Sequence, residues 1–304
     1  MTNSASIRRF EAERVATPRS ALAESPVWHA EQACLYWVDI VGRRLFQLDI
    51  STGCVTDFPL AFTIGCLVPS CDGHFAAGTE RGFAHLELSR DGPVFTFGFG
   101  PKLGIGWRMN DGACDPSGRF WSGSLSPTPA EPDAWGQLFS LERDGDVTPR
   151  GGQFRVQNGL AWSPDGRRMY VSDSHISNVG VTCYRFDPET GERTNPTLFA
   201  DYKTLGGRPD GAAMDVDGCY WIAASDSGRV LRLTPEGRID AEITVPVSNP
   251  TNICFAGREL KTAYITSLEK NGTGGDIFAV ELPFQGIVQP LCSAFRHSPI
   301  PGVG

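Results

Sequence analysis

Long apolar runs are missing from this sequence. No part of its 304 residues approaches the roughly 18 consecutive apolar residues that a membrane-spanning helix needs. The first twenty residues, MTNSASIRRFEAERVATPRS, are charged and contain no apolar core of the kind that defines a secretory signal peptide. We therefore expect no membrane span, no membrane partner and a location in the cytoplasm.

An excess of positive charge is also missing. Lys and Arg total 27 against 35 Asp and Glu, which gives a formal net charge of −8. Non-specific nucleic-acid binding depends on positive charge facing the phosphates. The composition therefore predicts no nucleic-acid partner.

The nine cysteines lack the spacing of a metal or disulfide framework. Their number is odd and no CxxC pair occurs. Several of them, such as Cys114, Cys219 and Cys254, lie inside apolar runs that read as strands. We interpret the cysteines as buried free thiols that act as small apolar residues.

Signatures of nucleophilic and nucleotide-binding enzymes are absent as well. The chain has no GxSxG motif, although Ser172-Asp173-Ser174-His175 contains the residue types of a catalytic triad. Neighbouring residues of a strand point to opposite faces, so these side chains are not expected to meet, and His175 is interpreted as a loop or channel-mouth residue. The glycine-rich segment Gly98–Gly106 has no Walker lysine and no following helical pattern, which predicts a loop.

A repeat marked by glycine turns runs through the chain. Four segments share an apolar strand, a turn that ends in Gly and an aromatic-rich strand, and two looser copies flank them. The turn glycines are 45, 48 and 52 residues apart, and they are Gly73, Gly118, Gly166 and Gly218. Glycine provides the positive φ that a tight hairpin requires. Each copy therefore predicts two neighbouring antiparallel strands.

The period of the repeat indicates the fold. An all-β repeat of about 40 to 50 residues is typical of a four-stranded propeller blade. We predict an all-β fold, a six-bladed β-propeller with a central channel, as one domain over residues 1–304, with residues 1–20 as an N-terminal edge segment. Four tryptophans are expected to pack between the blades: Trp37, Trp121, Trp162 and Trp221.

Polar residues occupy one register position of the repeat. Eight residues before the turn glycines lie Asn110, Asn158 and Asp210, and the first copy has Glu24 at the matching position. The second copy has Gly65 there, and the best match in the sixth copy is Asn252. Equivalent positions of related blades lie at one height around the axis. Taken singly, such residues are ordinary turn or strand caps; taken together, converging carboxylates and amide oxygens suit a hard divalent cation.

These motifs resemble those of the regucalcin/gluconolactonase family of sugar lactonases. The likeness runs from about residue 23 to 282 and is carried by AESPVW, RMNDGACDPSGRFWSGSL, NGLAWSPDG and RPDGAAMDVDG. It implies a six-bladed propeller with one divalent cation near the top of the channel. It also implies three metal ligands, Glu24, Asn158 and Asp210, and two substrate contacts, Arg108 and Asn110, while leaving open whether Asn110 touches the metal. Calcium is the expected ion, and Zn²⁺, Mg²⁺, Mn²⁺ and Fe²⁺ are alternatives.

The resemblance implies a metal-dependent hydrolase that opens a sugar lactone to the aldonic acid. The cation would polarise the carbonyl, and Asp210 would act as the general base that activates water. A phosphotriesterase-like hydrolase on the same metal site and a non-catalytic interaction scaffold are the alternatives. The expected partner is a small-molecule lactone, and the expected assembly is a monomer or a small homo-oligomer. The proline-rich segment Ser126–Trp135 departs from the family pattern, which leaves the identity of the sugar open.

Overall fold

A computed structural model describes residues 6–89 and 91–295. These residues form six sheets, which are antiparallel except for one parallel edge strand, and the one helix among them is the single turn α1 (Tyr202–Leu205). This turn is too short to cross a membrane, and no helix of the described residues is long and apolar enough to do so. The predicted all-β class is therefore confirmed.

Each sheet is one propeller blade. Blade 1 consists of β3 (Ala23–His29), β4 (Cys34–Asp39), β5 (Arg44–Asp49) and β6 (Val55–Pro59). Blade 2 consists of β7 (Ile64–Pro69), β8 (Phe75–Thr79), β9 (Gly82–Ser89) and β10 (Gly92–Thr96). Blade 3 consists of β11 (Arg108–Cys114), β12 (Phe120–Leu125), β13 (Gly136–Leu141) and β14 (Val147–Phe154). Within each blade, consecutive strands are hydrogen-bonded neighbours.

Blades 4 to 6 repeat this pattern with additions from the N-terminus. Blade 4 consists of β15 (Gln157–Trp162), β16 (Arg168–Asp173), β17 (Gly180–Asp187) and β18 (Glu192–Asp201). Blade 5 consists of β19 (Arg208–Met214), β20 (Tyr220–Ser225), β21 (Arg229–Leu233), β22 (Ile239–Thr244) and the edge strand β1 (Arg8–Glu11). Blade 6 consists of β23 (Pro250–Ala256), β24 (Thr262–Ser267), β25 (Phe278–Glu281) and β2 (Glu13–Arg14). The first strand of every blade contacts the first strands of both neighbouring blades, so the six blades close into a ring. The predicted six-bladed propeller is confirmed.

The two ends of the chain meet in blade 6. Strand β2 pairs antiparallel with β25 and provides the fourth strand of this blade, and β1 pairs parallel with β22 in blade 5. The expected N-terminal edge segment thus contributes strands to two blades. The prediction of one domain over residues 1–304 also includes residues 1–5, 90 and 296–304, which lie outside the described residues, and it stays a prediction.

The turn glycines have the conformation that the repeat requires. Gly73, Gly118, Gly166 and Gly218 have φ values between 69° and 85° and lie between the first and second strands of their blades. In blade 3 the turn is fixed by Asp115, whose carboxylate accepts hydrogen bonds from the backbone N–H of Ser117 and Arg119. The same carboxylate accepts a 3.0 Å bond from the indole N–H of Trp121.

Blade 5 repeats this arrangement at the equivalent residues. Asp215 accepts bonds from the backbone N–H of Asp217 and Cys219 and from the indole N–H of Trp221. A buried carboxylate is stable only when its oxygens are satisfied by donors or cations. The aspartate, glycine and tryptophan of the repeat therefore form one structural unit that joins the turn to the core.

The tryptophans lie in the core, as predicted, with one difference in position. Trp37, Trp121 and Trp221 lie on second strands and are fully buried, whereas Trp162 is also buried but lies on a first strand. The cysteines are all free thiols, and six of the nine are buried. The interpretation of buried thiols is wrong for Cys54, which is exposed, because it lies in the loop between β5 and β6.

The C-terminal segment 283–295 crosses the end of the ring at which the glycine turns lie. The backbone N–H of Ile287 donates to the carbonyl of Met214 at the end of β19, and that of Cys292 donates to the carbonyl of Pro69 at the end of β7. The segment thus covers the channel on this side. Nothing in the repeat itself indicates this closure.

Candidate metal centre

The four predicted residues of the polar ring lie at the other end of the channel. Glu24, Asn110, Asn158 and Asp210 are each the second or third residue of a first strand. Because the glycine turns follow the far ends of these strands, the four side chains lie at one level, opposite the C-terminal closure. The sequence-based prediction of a shared height agrees with this arrangement.

A register shift occurs at this level in every blade. In the pairing of the first strand with the second, the first strand contains one extra residue. This shift lies beside Glu24, Asn158 and Pro209 in three blades and at the equivalent place in the other three. A bulge of this kind bends the strand and redirects side chains. Strict alternation of faces therefore does not hold where the ring residues lie.

One consequence is that Asp111 joins the ring, which the sequence analysis missed. Alternation would turn it away from the channel if Asn110 faced inwards, but the register shift lies between Met109 and Gly112. The carboxylate of Asp111 accepts bonds from the backbone N–H of Leu160 and the side-chain amide of Asn252. The signal in the sequence is Asp111 itself, an acid directly after the ring residue Asn110.

The sixth blade provides Asn252 as a bridge between two carboxylates. Its Nδ2 donates to Oε2 of Glu24 over 3.1 Å and to Oδ1 of Asp111 over 3.4 Å. Asn252 packs against Gly211 of β19. Only glycine fits at position 211, because an added Cβ would lie 1.9 Å from the Asn252 Cγ. The expected match of Asn252 with the ring is therefore supported by direct contacts.

A second set of hydrogen bonds links the side chains of Arg108, Asn110 and Asn158. Arg108 Nη1 donates a 2.6 Å bond to Oδ1 of Asn110, and Nδ2 of Asn110 donates a 3.0 Å bond to Oδ1 of Asn158. The Nδ2 of Asn158 in turn donates to the hydroxyl of Ser174. These two bonds fix the Asn158 amide with its oxygen facing Asn110. That oxygen keeps a second lone pair, which can still accept a bond.

The Asp210 carboxylate is in a different situation. It is only partly buried, and no side chain or backbone group of residues 6–89 and 91–295 donates a hydrogen bond to it. Its neighbour Arg208 is bound instead to Asp226 by two hydrogen bonds. An acceptor without donors beside other acids is a suitable position for a cation.

The carboxylates perturb one another. Burial, followed by the negative charge of Asp111, raises the pKa of Glu24 from 4.5 to about 7. Burial raises the pKa of Asp111 from 3.8 to about 6. Burial, together with the charges of Glu24 and Asp111, raises the pKa of Asp210 well above its ordinary value. Converging anions with raised pKa values need protons or a cation to be stable.

The donor set fits a hard divalent cation. Glu24 and Asp210 provide two carboxylates to balance a double charge, and Asn158 provides a neutral oxygen, with no thiolate or imidazole in the ring. No group of three or more His, Cys, Asp or Glu suited to a metal occurs within the described part of the chain. A metal centre at this position would therefore consist of two acids and an amide.

The triad interpretation of Ser172 and His175 has no geometric support. The Ser172 hydroxyl is buried and has no hydrogen-bond partner among the described residues, and His175 Nδ1 contacts the hydroxyl of Ser177. Asp173 uses its carboxylate to bind the backbone N–H groups of Arg155, Val156 and His175. His175 is part of the loop after β16, as expected.

The proline-rich segment Ser126–Trp135 follows β12 at the same end of the ring as the centre. The guanidinium of Arg155 donates to the carbonyls of Pro129 and Pro132 and lies 3.7 Å from the centre of the Trp135 ring. The segment is therefore held in place beside the centre. The role of this segment in substrate specificity stays a prediction.

The chain resembles proteins of one family over most of its length. Residues 22–269 match the model of the family described as SMP-30/Gluconolactonase/LRE-like region. The chain belongs to this family. The match includes every residue of the polar ring, and it confirms the resemblance to regucalcin and gluconolactonase that the sequence motifs indicated.

Two curated relatives and one solved structure are similar over nearly the whole chain. The 6-deoxy-6-sulfogluconolactonase of Pseudomonas putida is 36% identical over 285 residues, covering 90% of this chain and 95% of the relative. Regucalcin of Danio rerio is 30% identical over 85% of this chain and 86% of its own length. The structure of a calcium-binding protein, regucalcin, from Agrobacterium tumefaciens str. C58 superposes with a TM-score of 0.86 at 24% identity, over 95% of this chain and 99% of that one.

Proposed function

We propose that this protein hydrolyses a sugar lactone to the aldonic acid and that one divalent cation is required. The observation that carries the proposal is that the carboxylates of Glu24 and Asp210 lie at one end of the channel, each with a pKa raised by burial and by neighbouring negative charge. The names of the relatives, which include a sugar lactonase, support the reaction class. A non-catalytic scaffold has no use for repelling acids in its channel.

The cation would be held by Glu24, Asn158 and Asp210. When bound there, it polarises the lactone carbonyl and stabilises the negative charge that develops on its oxygen. Calcium is the ion that we expect, since oxygen ligands and a calcium-binding structural relative both favour it.

The side chains of this protein would bind the substrate and move its protons. Arg108 would hold the lactone by hydrogen bonds from its planar guanidinium. The Nδ2 of Asn110 already donates to the carbonyl of Gln157 and to Oδ1 of Asn158, so Asn110 would accept a hydrogen bond from a lactone hydroxyl through the second lone pair of its Oδ1. Asp210 would take a proton from the attacking water while the water oxygen forms a bond to the carbonyl carbon. The bond from this carbon to the ring oxygen then breaks, and the proton passes from Asp210 to that oxygen, which becomes a hydroxyl of the aldonic acid.

The substrate class includes lactones that carry charge. The relative from Pseudomonas putida is named for a gluconolactone with a sulfonate on C6, and we take a sulfonated gluconolactone as a candidate substrate here. The cytoplasmic location and a monomeric or small homo-oligomeric state stay predictions.

A lactone-opening assay tests the proposal. Purified protein is offered pentonolactones, hexonolactones and a phosphotriester, and acid release is followed with a pH indicator. We expect lactone opening that is lost with a chelator and restored by Ca²⁺ or another divalent cation. Phosphotriester hydrolysis without lactone opening, or lactone opening that persists in the chelator, would overturn the proposed reaction or the metal requirement, respectively.

A further inference from the structure

A cavity of about 290 Å³ lies beside the candidate metal centre. Its walls come from the connection between β8 and β9 in blade 2 and from the loop that precedes β11 in blade 3. Thr79, which ends β8, pairs with Ile64, which begins β7, so this connection lies at the end of the ring where the first strands begin. The cavity and the centre therefore share one face.

Arg108 belongs to both the cavity and the centre. Its Nη1 donates to Asn110 and to the carbonyl of Met109, while the side chain also lines the cavity. Its Nε and Nη2 find no acceptor in the residues for which the structure gives contacts. A substrate held at Asn110 would thus extend along Arg108 into this cavity.

A second arginine, Arg81, also lines this cavity. Its guanidinium lies 5.0 Å from the centre of the Phe62 ring and 5.2 Å from that of Phe97. No carboxylate of the described chain lies within ion-pair distance of it. The adjacent Glu80 carboxylate accepts a bond from the backbone N–H of Thr63. Aromatic faces fix the plane of an arginine without neutralising its charge, so Arg81 is oriented and still able to bind an anion.

The charges on the walls favour a monoanion. Arg81 and Arg108 contribute two positive charges and Glu80 one negative charge, so a single negative charge neutralises the cavity. Guanidinium groups bind tetrahedral and planar oxyanions through paired hydrogen bonds. The volume is near the lower limit of about 300 Å³ for small-ligand sites, which suits the end of a sugar better than a whole one.

We propose that this cavity is a subsite for an anionic substituent on the terminal carbon of the lactone, a sulfonate, and that Arg81 is its specificity-determining residue. The proposal rests on the proposed lactonase function, because it places the lactone carbonyl at the metal centre. A phosphate dianion would leave excess negative charge beside Glu80. A neutral hydroxyl would leave both guanidinium groups without a charged partner.

The experiment compares three gluconolactones that differ at C6: sulfonate, phosphate and hydroxyl. The kcat/KM values are measured for the wild type, Arg81→Gln and Arg81→Lys. A charge-assisted hydrogen bond contributes about 1.5–3 kcal/mol, so the preference for sulfonate over hydroxyl should fall about tenfold or more in Arg81→Gln. Arg81→Lys should restore part of it, because the charge remains but the paired geometry is lost. The ratio of two substrates on one preparation does not depend on the folded fraction.

Arg193→Gln is the matched control. This arginine also lies over an aromatic ring, that of Tyr184, but on the outer strand β18 of another blade. Its substitution should leave the substrate ratio unchanged. An unchanged ratio in Arg81→Gln, or a wild-type preference for the hydroxyl or phosphate lactone, would overturn the subsite as proposed.

A binding measurement separates this proposal from the proposed function. The probe is the open-chain 6-deoxy-6-sulfogluconate, titrated by calorimetry into the wild type and Arg81→Gln. If no lactone is opened, the lactonase function fails, yet binding that weakens about tenfold in Arg81→Gln would still support the anion subsite. Equal binding by both proteins would overturn the subsite even in an active lactonase.

Discussion

The side-chain amide of Asn252 donates a 3.1 Å hydrogen bond to Oε2 of Glu24, although 228 residues separate the two. This contact joins the last blade of the ring to the first at the level of the candidate metal centre. The same amide reaches Asp111 of blade 3, so one neutral side chain lies between two acids. Asn252 therefore links the sixth blade to the first and third blades at this level.

Replacing this amide should destabilise the protein. In Asn252→Ala, Glu24 and Asp111 lose a buried donor, and we expect the free energy of unfolding to fall by about 1–3 kcal/mol. Urea unfolding in the presence of a chelator measures this change. Thr262→Ala, which removes an exposed contact with Glu281 in the same blade, is the control and should have a smaller effect. Equal stability of Asn252→Ala and the wild type would contradict the bridging role.

The metal-free protein should become less stable as the pH rises from about 4.5 to about 7. In this window the folded chain holds protons on Glu24 and Asp111, whose pKa values are raised to about 7 and about 6, while the unfolded chain has released them. Stability falls with pH wherever the folded state binds more protons. Thermal unfolding in a chelator across this range measures the effect.

A divalent cation should stabilise the protein more strongly as the pH rises. Because it must replace the protons on the same carboxylates, Ca²⁺ should raise the unfolding temperature more at about pH 8 than at about pH 5. A stabilisation by Ca²⁺ that is equal at both pH values would indicate a binding site away from these acids.

Removal of the Asp210 carboxylate should abolish most of the turnover. The side chain is proposed both to bind the cation and to take the proton from water, and a general base alone contributes about 100-fold or more. Asp210→Asn should therefore lower kcat on the best lactone by at least about 100-fold, with an unfolding temperature close to that of the wild type when both proteins are measured in a chelator.

Asp217→Asn provides the comparison for Asp210. Asp217 lies in the turn at the far end of the same first strand, and its side chain is 63% exposed. We expect its substitution to leave kcat within about twofold, since Asp217 lies at the opposite end of β19 from the candidate centre. Full activity of Asp210→Asn would show that another group activates the water.

Arg108 should affect the substrate more than the metal. In Arg108→Gln the contact with Asn110 is weakened and the cavity loses one of its two positive charges. We expect kcat/KM to fall by about tenfold or more, while the affinity for Ca²⁺ measured by calorimetry changes by less than about threefold. Equal losses in both quantities would count against a role in substrate binding.

The repeat made the fold and most of the ring predictable. The spacing of Gly118, Gly166 and Gly218 indicates blades, and counting back from each glycine finds Asn110, Asn158 and Asp210 because the repeat keeps one register. Both inferences use only local periodicity. They succeed because each blade has the same hairpin.

Other parts of the site could not be predicted in this way. Asp111 reaches the ring because the strand pairing shifts between Met109 and Gly112, and a register shift depends on the partner strand. The cavity that Arg81 and Arg108 line is formed by two loops of different blades, and these loops follow no repeat. The C-terminal closure of the channel likewise depends on contacts between distant segments.

Glu24, Asn158 and Asp210 are proposed to hold one divalent cation. The most direct measurement is an anomalous diffraction map of crystals grown with Mn²⁺ in place of Ca²⁺. We predict one strong peak at the site end of the channel, within about 2.6 Å of oxygens from all three side chains. A peak bound by other residues, or no peak in a protein that opens lactones, would show that these three side chains do not form the metal site.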